Sequence, residues 1–220
     1  MQKDRYDVWK TKGDAGAANM YFYLASGSAN WCYLPITVSS FHVEELVGNT
    51  SPRLDSSLAV ADGQSSTVTV GASDTAAATP AATVAQAMLG AASVLNIASA
   101  TASANMTIDQ VTANGAATLA AGTGASLKLG ALTLTGEPGE SRLTVTGSAT
   151  AADSLKVVVP SSWCKSSTGK VTLLSGVSVD PENVTLETED GPVPAKRATL
   201  SLENGALKAD FSRGMVLIFR

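Results

Sequence analysis

From about residue 56 onward the chain alternates apolar and polar positions in very short bursts. Side chains of a strand alternate between its two sides, so apolar residues two apart mark an inward face. Leu58/Val60, Val68/Val70, Leu95/Ile97, Met106/Ile108 and Ala117/Leu119 are such doublets. Leu127/Leu129, Leu132/Leu134, Leu143/Val145, Leu155/Val157, Val171/Leu173 and Leu207/Ala209 continue the series. Val177/Val179, Val184/Leu186, Leu200/Leu202 and Leu217/Phe219 fit the same pattern. The intervening positions are largely Thr, Ser, Lys and Asn, which suit a wet outer face. Gly, Asn, Asp and Ser separate the bursts, as turn residues do.

The doublets recur with a period of roughly 22 residues, as from Leu95 to Ala117, Met106 to Leu127 and Leu132 to Leu155. A unit of that length holding two or three short strands is a coil of a β-solenoid. A sandwich would show longer strands and fewer apolar pairs between them. The expected fold is therefore all-β, a right-handed parallel β-helix over 53–220. Small residues such as Ala116, Ala117, Ala120 and Ala121 fit narrow corners, and Asn96, Asn105 and Asn114 suit stacked turns. Two stretches interrupt the rhythm. Residues 74–93 are alanine-rich, and Thr79-Pro80 within them reads either as the start of a short helix ended by Gly90 or as part of an irregular or strand-like coil. Residues 160–170 form a polar excursion holding Trp163 and Cys164, expected as a loop off the solenoid.

The first 52 residues use different core material. Eight of the eleven aromatics fall there: Tyr6, Trp9, Tyr21, Phe22, Tyr23, Trp31, Tyr33 and Phe41. Alternation over 6–10, and aromatic and β-branched residues over 19–25 and 31–38, predict strands, and the Gly-Asn-Thr-Ser-Pro run at 48–52 reads as a connection. Residues 1–52 are thus expected to form a small aromatic-rich β unit, a cap or the end of a larger domain.

GAATLAAGTGASLKLGALTLTG at 115–136 and RLTVTG at 142–147 resemble the autotransporter-associated β-strand repeats of secreted bacterial proteins. VTLLSG at 171–176 and ATLSLENGALKADF at 198–211 are similar to the ends of such passengers. The resemblance covers roughly 90–219 and implies a parallel β-helix carried outside the cell, with no catalytic residue. It also implies secretion or surface display. No outer-membrane β-barrel pattern follows within this chain. No signal-peptide pattern precedes it either, as expected of a mature form or an internal segment.

Composition narrows the function classes. Charged residues make up 15% of the chain and the net charge is -4. Nucleic-acid binding needs a basic stripe to neutralise phosphates, and none is present. Mean hydropathy is positive, but much of it comes from alanine. The longest apolar runs, such as 215–219, are far short of the about 20 residues that span a bilayer as a helix.

Candidate chemistry is sparse. His42 is the only histidine and has no nucleophile-elbow sequence to serve. Two cysteines and one histidine without ligand spacing argue against zinc, and no cofactor motif occurs. Cys32 and Cys164, each following a tryptophan, either form a disulfide or stay unpaired; spacing does not decide. Asp180, Glu182, Glu187, Glu189 and Asp190 are the densest acidic group. Glu187 and Glu189 are expected on one strand face, able to help bind a cation or simply to discourage edge aggregation. Lys196 and Arg197 read as loop residues. Trp9, Trp31 and Tyr33 are the candidate platform for a sugar ring, or else plain core. The expected role is a non-catalytic structural or adhesive segment. The alternatives are a glycan-binding module built on the aromatic unit, and a polysaccharide-active β-helix enzyme. Expected partners are cell-surface or host glycans or proteins, with end-to-end homo-oligomers a further option.

Overall fold

The computed structural model describes residues 57–70, 79, 81–99, 101–164, 169–194 and 197–211, together with the backbone of Tyr23–Ala25, His42–Val43, Glu45–Val47 and 53–56. Strand dominates, and there is no α-helix among the described residues. Two short strands, β1 (Tyr23–Ala25) and β3 (Glu45–Val47), pair in parallel. All other strands belong to two sheets.

The first sheet holds β4 (Arg53–Val60), β6 (Ala81–Leu89), β8 (Ala104–Asn114), β10 (Ala125–Thr135), β12 (Ser148–Val158), β14 (Val184–Thr188) and β15 (Gly191–Pro192), in that spatial order. The second runs β2 (His42–Val43), β5 (Ser65–Val70), β7 (Val94–Ser99), β9 (Ala116–Ala121), β11 (Arg142–Thr146), β13 (Gly169–Ser175), β17 (Ala206–Phe211) and β16 (Thr199–Glu203). From β4 to β14 the chain visits the two sheets alternately, and every neighbouring pair within a sheet is parallel up to β13 and β14. Each strand therefore bonds to the strands one circuit before and one circuit after it.

Most of the doublets predicted to face inward do so; Val179, Val184 and Leu200 are only partly buried, Leu202 is exposed, and Leu217/Phe219 lies outside the described residues. Met106, Ile108, Leu127, Leu129, Leu132, Leu134, Leu143, Val145, Leu155 and Val157 are all buried in one continuous core between the sheets. The circuit length varies more than a period of 22 allows. Ser126 and Ser148 are neighbours at a separation of 22, but Thr144 and Ser175 are 31 apart. Met106 does stand beside Leu127. Leu95 stands beside Leu119, not Ala117, and Leu132 beside Val157, not Leu155. Loops of unequal length absorb the difference while the ladder keeps inward residues in line.

The long strands carry a feature that alternation alone does not reveal. In β8 the buried positions are Ala104, Met106 and Ile108, then Val111 and Ala113, so Asp109 and Gln110 both face out. β10 repeats this about Gly130 and Ala131, and β6 about Ala85 and Gln86. A one-residue slip would turn every later side chain to the wrong side unless the strand bends there. Ile108 pairs with Leu129 and Gln110 with Ala131, so Asp109 and Gly130 drop out of the ladder at the corner.

Residues 81–89 settle as strand, not helix. Ala82, Val84, Ala87 and Leu89 point inward, and β6 lies between β4 and β8. Alanine's intrinsic helix preference is under a kilocalorie per residue, about 0–0.7 kcal/mol relative to its neighbours on the scale, and two flanking strands override it. Turns stack as the strands do. The Gly90 amide donates to the Val60 carbonyl at 2.9 Å and that of Ala92 to Ala116 at 2.6 Å. At the corners after β11 and β13 the chain needs glycine. Gly147 and Gly176 have φ of 83° and 81°, and a Cβ there would lie 1.9 Å and 1.8 Å from the carbonyl oxygens of Ala121 and Val145.

After β13 the pairing turns antiparallel. β17 pairs with β13, β16 with β17, and β15 with β14. Asn204 and Gly205, both at positive φ, make the two-residue turn of the β16–β17 hairpin.

Candidate functional site

The charged and aromatic groups that sequence reasoning singled out, so far as they are described, gather at this antiparallel end. Trp163 is central. The turn that carries it leaves the sheet, as predicted, but the indole folds back and is fully buried. Its Nε1–H donates to the Gly136 carbonyl at 2.9 Å, and its ring meets Phe211 edge-on at 6.0 Å between centroids. The indole is a plug beneath the last circuit rather than a surface group. Cys164, next in sequence, is half-buried against the same core.

The acidic group does not converge. Asp180 caps the short 3-10 helix Pro181–Asn183, accepting from the Glu182 amide at 3.0 Å. Glu187 lies on β14 and pairs with Lys156 of β12 at 2.5 Å. Glu189 does not share its strand face, because β14 ends at Thr188. Its carboxylate instead accepts from the Ser161 amide at 2.9 Å and the Ser161 hydroxyl at 2.7 Å, tying the Trp163 turn to the β14–β15 connection. Among the described residues no group of three or more His, Cys, Asp or Glu side chains could hold a metal ion.

Sequence reasoning missed three basic partners, Lys156, Lys170 and Lys208. Lys156 is one circuit away from Glu187, so only the parallel register brings them together. Glu203 on β16 accepts from Lys170 of β13, and from Lys208 of β17 at 3.2 Å. The Lys170 hydrogen bond, then that of Lys208, holds the Glu203 carboxyl below the ordinary carboxylate range. The same bond holds the Lys170 ammonium above the ordinary lysine range. Both are surface groups, and such pairs contribute little to stability individually.

Trp9, Trp31, Tyr33 and Cys32 lie outside the described residues, so neither the sugar platform nor the Cys32–Cys164 pairing has a geometry here. His42 contributes backbone to β2 beside Thr67. The three asparagines expected to stack are dispersed. Asn96 sits in mid-strand on β7 and donates to Ser65 Oγ at 3.1 Å and the Ser66 carbonyl at 3.3 Å, while Asn105 and Asn114 occupy opposite ends of β8.

The remaining outward side chains tie neighbouring strands together. Gln110 donates to Thr133 at 3.2 Å, and Ser126 meets Ser148 at 3.4 Å. Among the described residues no helix is long and apolar enough to cross a membrane. The chain matches no protein-family model, no curated protein and no solved structure.

Proposed function

We propose that the chain is a right-handed parallel β-helix segment of a secreted or cell-surface bacterial protein, working as a rigid structural or adhesive element without turnover. The observation that carries this reading is the single core shared by alternating parallel strands, continuous from Leu58 to Phe211. A stack whose inner strands are bonded on both sides holds its surface at fixed spacing, the property a stalk or display scaffold needs. The described carboxylates at the C-terminal end support it, since Asp180, Glu187, Glu189 and Glu203 each hold a neighbouring part of the fold. The likeness of 115–136 to autotransporter-associated repeats supports the extracellular bacterial setting.

Glycan-array binding of the whole chain beside Trp9→Ala and Trp31→Ala variants tests it. A structural or adhesive segment gives no saturable glycan signal that depends on Trp9 or Trp31. Tight binding lost in either variant would replace this reading with a glycan-binding module on the aromatic unit. Left-handed coils in a crystal structure would overturn the handedness alone.

A further inference from the structure

The chain holds two Asn-Gly steps, Asn114-Gly115 and Asn204-Gly205, and the fold treats them differently. The backbone nitrogen after an asparagine can attack the side-chain amide carbon, and glycine, with no Cβ, hinders that attack least. Both asparagines are exposed. At the first step the nucleophile is engaged. The Gly115 amide donates to Ser141 Oγ at 3.0 Å, and Ser141 is buried. The Gly115 carbonyl in turn accepts from the Arg142 amide at 3.1 Å. At the second step the nitrogen is not held. The β16–β17 ladder ends at the Glu203–Ala206 pair, so Asn204 and Gly205 stand beyond it. Among the described residues the Gly205 amide has no hydrogen-bond acceptor. No atom beyond its chain neighbours lies within 4 Å of where a Gly205 Cβ would sit. The other described asparagines, Asn96, Asn105 and Asn183, precede the larger Ile97, Met106 and Val184.

We infer that Asn204 is a site of spontaneous deamidation and that its conversion to isoaspartate loosens β16 from β17. The Gly205 nitrogen gives up its proton and bonds to Asn204 Cγ. The bond from Cγ to the side-chain nitrogen breaks, and that nitrogen leaves as ammonia with the proton. The cyclic imide then takes up water at one of its two carbonyls. Opening at Cγ gives aspartate, and opening at the backbone carbonyl gives isoaspartate, whose main chain runs through Cγ. Isoaspartate adds a methylene to a turn of two residues whose φ values, 52° and 73°, suit the twist of the hairpin. Either product adds a negative charge next to Glu203, whose carboxylate bridges Lys170 and Lys208. β16 is the strand that gives way. It ends its sheet, and its one strand neighbour among the described residues is β17. β17 is held in addition by β13 and by the buried Leu207, Ala209 and Phe211.

The test holds the full chain folded at mildly alkaline pH beside a sample unfolded in urea, and follows both asparagines over time by peptide mapping and mass spectrometry. In the folded protein Asn204 is expected to convert at least about tenfold faster than Asn114, whose nucleophile is released only when its turn opens. In urea the two rates should converge, because glycine follows both. Comparable rates at the two sites in the folded protein, or an Asn204 that converts only in urea, would overturn the inference. A gap that persists in urea would trace the difference to neighbouring sequence and overturn the part assigned to Ser141. The fraction carrying isoaspartate at position 204 is then separated, and its hydrogen exchange is compared with that of the unmodified chain. Amides of Thr199–Glu203 are expected to exchange at least about tenfold faster, with those of β8 and β10 unchanged. Protection equal to that of the unmodified chain would overturn the loosening of β16.

Discussion

Replacing Trp163 by alanine strikes the end of the core where the structure depends on one large side chain. The indole is fully buried, so the whole of it, about 200 Å², would be lost from the apolar interior. At about 25 cal/mol per Å² that is about 5 kcal/mol, within the about 3–5 kcal/mol usual for removing a large buried aromatic. The Gly136 carbonyl would also lose its donor, a further cost of about 1 kcal/mol or more if water does not replace it. Trp163→Phe separates the two parts. It keeps most of the ring but loses the N–H, and is expected to cost about 1–3 kcal/mol. A double-mutant cycle with Phe211→Leu should return about 0.5–1.5 kcal/mol of coupling for the edge-on pair. Urea unfolding followed by far-UV circular dichroism gives the order wild type, Trp163→Phe, Trp163→Ala. Each strand is bonded only to its sheet neighbours, so the loss is local at first. Amides of β13 and β17 should lose exchange protection before those of β8 and β10. A Trp163→Ala variant within about 1 kcal/mol of wild type would refute the reasoning, because a plug cannot be removed so cheaply from a close-packed end.

Other substitutions probe the rest of the framework. Ser66 is buried with no hydrogen-bond partner for its hydroxyl, so Ser66→Ala should be neutral or stabilise by about 1–2 kcal/mol in the same urea titration. Gly147→Ala meets a carbonyl oxygen at 1.9 Å and also keeps an unfavourable φ; a loss of about 3 kcal/mol or more is expected. Gly139 has a similar φ of 84° but open space around it, so Gly139→Ala should show only the conformational part, about 1–2 kcal/mol. Equal losses at the two glycines would show that the corner contact has no energetic weight. Glu203 has its folded pKa depressed by Lys170 and Lys208, so its contribution is complete above the unfolded carboxylate range. That contribution disappears as pH falls through the depressed folded value. Thermal melts from neutral pH downward should therefore show a slope that Glu203→Gln removes, and that added salt flattens. For Lys170, whose pKa is raised, the contribution is present below the unfolded lysine range and fades as pH rises past it.

Much of the core was legible because it depends on a local rule. Met106/Ile108 and Leu127/Leu129 announce inward faces by spacing alone, and they are buried as that spacing requires. The Asn204-Gly205 hairpin was not foreseen, since 53–220 was expected to be parallel throughout, although two residues that readily take positive φ are the signal of such a turn. Residues 81–89 were ambiguous because alanine favours helix locally and gives no β-branched signal. Only the strands on either side fix it as β6. The acidic group misled for a related reason. Proximity in sequence suggested a shared face for Glu187 and Glu189, but β14 stops between them and each finds a different partner.

By itself the sequence determined the chemistry of each position: which side chains shun water and where glycine can bend the chain. The tertiary structure decided which circuit lies beside which, and with it every contact between residues far apart in the chain. Lys156 meets Glu187, and Trp163 reaches Gly136 and Phe211, only because loops of unequal length bring the ladders into register. The physical reason is that inward spacing repeats every two residues and so is written locally. Register is a choice among many nearly equivalent alignments, settled by the packing of the whole core.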